Sequence, residues 1–175
     1  LIYRILIISM KSIKLKNEKV KYLSLVLFSL VIYINYLANA LPIGGVTTGE
    51  VSDLLDNLFT PAGFTFSIWG FIYLGLLIFL LGLIRLSEEN QPFIEKVLVL
   101  FNINCILNIS WLFAWHYLIF PLSLIIILCL LYSLILISKV IKTYHKELKS
   151  TYLYTIPSFS FNVYCGWITV ATVAN

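Results

Sequence analysis

VLVLFNINCILNISWLFAW, from Val97 to Trp115, runs nineteen residues without a charge. At about 1.5 Å of rise per residue, roughly 20 helical residues cross a hydrocarbon core of ~30 Å. Four further stretches match it: Tyr22–Leu41, Phe64–Ile84, Leu118–Ser138 and Leu153–Val173, so that the five measure 19 to 21 residues. Lipid offers no partner for backbone N–H and C=O groups, so such segments are helices and not isolated strands. Pro121 and Pro157 fall in first turns, where a missing N–H is tolerated. The two residues His116 and Tyr117 join the third and fourth spans, which makes those helices antiparallel neighbours. The fold class read from this pattern is all-α: a polytopic membrane protein with a five-transmembrane-helix bundle over residues 22–175, behind a basic segment over 1–21.

The whole composition agrees. Of 175 residues, 61% are hydrophobic and 11% charged, with mean hydropathy +0.97. Soluble domains carry about 25% charge, and one of this size could not hide so much apolar surface. A cytosolic enzyme, a nucleic-acid-binding module and a disordered tail are excluded. Cys105, Cys129 and Cys165 lie in apolar runs without metal spacing, and read as small core hydrophobes.

Charge sets an expected orientation. Arg4, Lys11, Lys14, Lys16, Lys19 and Lys21 precede the first span; Arg85 and Lys96 bound the second connection; Lys139, Lys142, Lys146 and Lys149 follow the fourth span. All twelve basic residues thus fall on one side of the bundle. The positive-inside rule places the N-terminus in the cytoplasm and the chain's C-terminus outside, in the cell (plasma) membrane. The net charge of +4 then reflects topology and attraction to anionic lipid, without an acidic partner or nucleic acid. Met10 reads as the start, with Leu1–Ser9 upstream of it. The fifth span stops at Asn175 without a polar flank, so a continuation of the chain is expected.

Polar residues inside spans carry the functional signal. Asn104, Asn108, Trp111 and Trp115 recur at i, i+4, i+7 and i+11, which is one helix face. An unpaired desolvated amide costs roughly 2–7 kcal/mol, so that face points into protein. Two readings stand: interhelical hydrogen bonding, worth roughly 0.6–2 kcal/mol per bond, or a pocket. Phe66, Trp69 and Tyr73 share a face of the second span; Tyr164, Trp167 and Ala171 share one of the fifth. An inward aromatic cluster with a few amides suits a flat apolar ligand; an aromatic core is the alternative. The loop Pro42–Gly63 is long for a bundle connection and is expected to roof a cavity. Its Glu50, Asp53 and Asp56 read as solvated charges, and no second His or Cys completes a metal site. His116 and His145 join no catalytic arrangement. No motif requires a cofactor, and nothing marks the chain as an enzyme.

Three motifs resemble one family. FTPAGFTFSIWGFIY (Phe59–Tyr73), LNISW (Leu107–Trp111) and YCGWITVATVAN (Tyr164–Asn175) are similar, in order and position, to the WxPPxWxFxxVWxxLY, LNxxW and PYxxWVxFAxxLN motifs of the TspO/MBR family, the tryptophan-rich sensory and translocator proteins. Phe59 and Phe64 stand for two loop tryptophans, Ala62 for a proline, and Val163 for another. The resemblance implies five membrane helices, a frequent homodimer, and a cavity open toward the first loop. That cavity binds porphyrins, heme-like tetrapyrroles or other flat hydrophobic small molecules. It implies ligand-facing roles for Trp69 and Trp167, with Asn108 and Trp111 beside them. Pro61, Phe66, Tyr73 and Asn104 complete the expected site through the motif and the shared faces. Some relatives promote light-dependent porphyrin breakdown through pocket tryptophans. A small transporter of lipophilic molecules is one competing function, although no charge inside a span offers coupling, and a light-dependent porphyrin-degrading enzyme is the second.

Overall fold

The computed structural model describes residues 2–41, 43–55, 61–84, 91–144 and 151–175. Leu1, Pro42, Asp56, Phe59, Arg85, His145, Lys146 and Lys149, all used above, lie outside them. Regular structure among the described residues is entirely helical: α1 (Ile2–Ala40), α2 (Thr48–Asp53), α3 (Ile68–Ile84), α4 (Gln91–His116), α5 (Phe120–Tyr144) and α6 (Thr151–Ala174). Short 3₁₀ turns occupy Ile43–Gly45 and Gly63–Ser67.

The five long helices are the five expected spans, with moved boundaries. α1 continues unbroken from the basic segment and counts 39 residues. α4 starts six residues before Val97, at Gln91. Among the described residues, four stretches are long and apolar enough to cross a membrane: Glu18–Gly45, Gly63–Leu83, Pro92–His116 and Phe120–Tyr144. α6 has the length, 24 residues, but Ser158, Ser160, Asn162, Thr169 and Thr172 dilute its apolar character. It joins the bundle by packing between α5 and α3.

Contacts order the helices around the bundle as α1, α4, α5, α6 and α3. The ring closes loosely, because α1 and α3 meet only sparsely. Hydrocarbon supplies little hydrophobic drive between helices, so close packing and interhelical hydrogen bonds hold them. α3 and α6 approach tightly at Gly75, where an added Cβ would stand 2.7 Å from Ser160 Oγ. One half of the interior is an interlocked phenylalanine cluster. Phe79 meets Phe161 at 5.1 Å and Phe101 at 6.1 Å, and Phe28 meets Phe101 at 5.6 Å. The other half holds the tryptophans. Exposed Leu, Ile, Val and Tyr side chains cover the outer faces, as lipid-facing surfaces require. Of the three cysteines only Cys105 is buried; Cys165 is half-buried and Cys129 is exposed, so the core reading fails at Cys129. Its position turns toward the outer face of α5.

The α4–α5 connection is a helix-ending motif with an unusual residue. Ile119 N donates to Ala114 O at 2.9 Å and Leu118 N to Trp115 O at 3.0 Å. This closes the helix through a left-handed residue, normally glycine. Here Leu118 holds φ 58°, the one non-glycine positive φ among the described residues. His116 therefore belongs to the helix, and the turn is Tyr117–Ile119. Leu118→Gly should relieve left-handed strain of about 1 kcal/mol and raise the melting temperature of the purified protein; a lowered one would contradict this account of the turn.

Candidate functional site

Four tryptophans from three helices meet at the end of the bundle beneath α2. Trp69 of α3, Trp111 and Trp115 of α4, and Trp167 of α6 line one cavity with Phe66 and Pro61. Ser52 of α2, with Ala171 and Ala174, completes the lining. The rings touch. Trp69 and Trp111 centroids are 6.2 Å apart, Trp69 and Trp167 6.3 Å, and Phe66 and Trp167 5.7 Å, the last two edge-on. Trp111 stacks on Trp115 at 5.8 Å. Edge-to-face and offset pairs are the geometries that ring quadrupoles favour. The space left between them admits little more than a water. Trp167 Nε1 faces no hydrogen-bond partner among the described residues.

Behind this aromatic layer runs a polar one. Asn108 Nδ2 donates to Tyr164 Oη at 2.9 Å, and Asn108 Oδ1 accepts from Asn35 Nδ2 at 3.1 Å. One amide thus ties α4 to α6 and α1. Tyr164 in turn packs edge-on against Trp69, with centroids 5.6 Å apart. Trp111 Nε1 donates to Asn175 Oδ1 at 3.0 Å, and Asn175 Nδ2 donates to Ser123 Oγ on α5 at 2.9 Å.

The roof is anchored from below. His116 is 2% exposed. Its Nδ1 lies 3.1 Å from Ile43 O and 2.9 Å from Val46 O, and its Nε2 lies 3.0 Å from Thr48 Oγ1. Carbonyls only accept, so Nδ1 carries the proton and Nε2 accepts from the Thr48 hydroxyl. Trp115 Nε1 adds a bond to Thr48 O at 3.3 Å. The chain passes so close that an added Cβ at Gly44, φ 69°, would sit 2.7 Å from His116 O; glycine serves both needs. α2 then starts with a capping box: Thr47 Oγ1 accepts from Glu50 N at 3.3 Å, and Thr47 N donates to Glu50 Oε2 at 2.6 Å. The Thr47 N–H holds the Glu50 carboxyl below its ordinary value, so this exposed cap is present at neutral pH and is lost as pH falls through that lowered value.

Of the expected site residues, Pro61, Phe66, Trp69, Trp111 and Trp167 come together around the cavity. Tyr73 stacks on Trp69 at 5.4 Å and lines a neighbouring groove. Asn108 stands behind the wall, committed to protein partners. Asn104 is elsewhere: its Nδ2 donates to Ser133 Oγ of α5 at 2.8 Å. The two asparagines share a face, yet neighbouring helices cross, so the partner on that face changes with depth. Trp115, Ser52 and His116 were not foreseen as site residues. A family model described as TSPO-like protein matches residues 21–175.

The chain belongs to the TSPO-like family. No curated protein and no solved structure matches it. The TSPO-like match covers all five long helices except the N-terminal half of α1. Its roof latch is testable by hydrogen exchange. His116→Ala removes bonds to Ile43 O, Val46 O and the buried Thr48 hydroxyl, about 2 kcal/mol, and amides of Gly45–Ser52 should then exchange roughly thirty-fold faster. Unchanged protection there would show that the latch contributes nothing.

Proposed function

We propose that this TSPO-like membrane protein binds a flat hydrophobic molecule, of the porphyrin or heme-like tetrapyrrole class, in the tryptophan-lined cavity, and acts as a sensor of it. The observation that carries the reading is the convergence of Trp69, Trp111, Trp115 and Trp167 on one space lined almost wholly by apolar atoms. A packed core has no need of four indoles facing a common gap. The gap is too tight for a tetrapyrrole with the roof down, so binding proceeds with α2 and its flanking turns lifted. The latch at His116 and Thr48 then sets how often the site opens. A homodimer in the plasma membrane, implied by the resemblance, belongs to the same proposal.

Stacking on an indole contributes about 0.5–1.5 kcal/mol beyond area burial. In detergent, protoporphyrin titration should quench tryptophan emission saturably. Trp167→Phe or Trp69→Phe should each weaken affinity several-fold. If the double variant binds and quenches as the parent does, the aromatic cluster is only a core.

The orientation belongs to the proposal as well, and rests on the one-sided distribution of Lys and Arg. Thr48 is buried, so exposed Asp53 and Lys142 are the better reporters. Asp53→Cys should react with an impermeant thiol reagent on intact cells, and Lys142→Cys only after permeabilisation. The opposite pattern would invert the topology.

A further inference from the structure

Beside the tryptophan cavity, the loose α1–α3 seam opens a groove of about 540 Å³. Phe66 and Trp69 line both spaces, so the two adjoin. No charged residue is among the described residues that line the groove. Its distinctive residue is Asn35. This side chain is 9% exposed. Its Nδ2 is committed to Val31 O at 2.9 Å and Asn108 Oδ1 at 3.1 Å. Its Oδ1 accepts no hydrogen bond from any described residue, and the residue lines the groove. Tyr73 lines it too through its ring, while its Oη is buried against the Asn35 and Asn108 side chains.

Depth makes these two groups informative. Asn35 lies five residues in from the end of α1 and Tyr73 five in from the start of α3. At about 1.5 Å per residue both sit some 7–8 Å inside the helix ends. Hydrocarbon cannot satisfy an amide oxygen there, and an unpaired polar atom in such surroundings is costly. Apolar and aromatic Ile32, Tyr36 and Phe64 line the groove together with polar Asn39, Thr48 and Ser67.

We propose that this groove is a second binding site, open to the bilayer, for a slender or flat neutral molecule that presents one N–H or O–H donor at its edge. The donor meets Asn35 Oδ1. The ring face or chain lies along Trp69. The described lining carries no charge and suits neutral ligands. Access is sideways, between α1 and α3, and does not require the roof to lift. The site is therefore separable from the tryptophan cavity, whose wall Trp69 it shares.

Carbazole and N-methylcarbazole test this, since they differ by one N–H. The full chain in detergent is titrated with each, and tryptophan quenching is read. Carbazole should bind about 3–10-fold tighter, the range for one net hydrogen bond. Micelle partitioning favours the methylated compound, so it cannot produce this preference. Gly70 supplies the second arm. It lines the groove, and an added Cβ there meets nothing within 4 Å. Gly70→Phe should plug the groove and weaken carbazole more than ten-fold. Protoporphyrin quenching in the same variant reports the inner cavity separately. Equal affinity for the two carbazoles, or a carbazole preference that survives Gly70→Phe, would overturn the proposal, whatever the porphyrin result.

Discussion

Asn108 is an amide buried beyond the reach of solvent, and the tryptophan end of the bundle depends on how it is satisfied. It gives a hydrogen to Tyr164 and takes one from Asn35. These bonds fix α6 and α1 against α4 at one level. Tyr164 carries the constraint on, because its ring edge packs against Trp69. Trp69 in turn meets Tyr73, Trp111 and Trp167. An amide outside the described lining of the tryptophan cavity therefore sets the geometry of its wall. Without the hydrophobic drive that water provides, such a bond is one of few devices that can specify helix register.

The helices were legible in the sequence because lipid imposes a simple rule: long uncharged runs must be helical. The α4–α5 pairing was legible from the short connection. Within helices, periodicity identified inward faces but not neighbours. Asn104 and Asn108 share a face, yet one bonds to α5 and the other to α1 and α6. Neighbour identity at each depth depends on crossing angles, which spacing does not encode. His116 was opaque for another reason. A histidine beside a tight turn reads as surface, and only the return of Ile43–Thr48 over it makes it buried. The two glycines before Val46 were a visible signal of an unusual turn, without indicating its partner. Trp115 is similar: the end of a span suits an interfacial anchor, and the roof above converts it into a wall.

The bundle divides its work along its axis. The phenylalanine half fills space with interlocked edge-on rings and offers no polar tips. The tryptophan half carries N–H groups that need acceptors, and three of its four indoles show how differently that need is met. Trp115 uses the roof backbone, Trp111 uses Asn175, and Trp167 has no described partner. A core built only for stability would favour phenylalanine at the last position, since an unpaired buried donor costs free energy. Under the proposed function, that donor is the indole N–H left for a bound molecule.

The openings fall where the fold is least tightly held. In water, a sparse seam such as that between α1 and α3 would expose apolar surface and be strongly penalised. In lipid, acyl chains cover that surface, so the seam costs mainly lost packing. The roof obeys the opposite logic. It lies beyond the apolar runs, where its backbone can be solvated, and a few hydrogen bonds to α4 suffice to hold it. The seam is open through weak packing, while the roof is closed by specific bonds. The groove therefore stands open in the structure, while the tryptophan cavity is closed over by the His116 bonds. The two adjoin at Trp69, so one indole forms part of both walls.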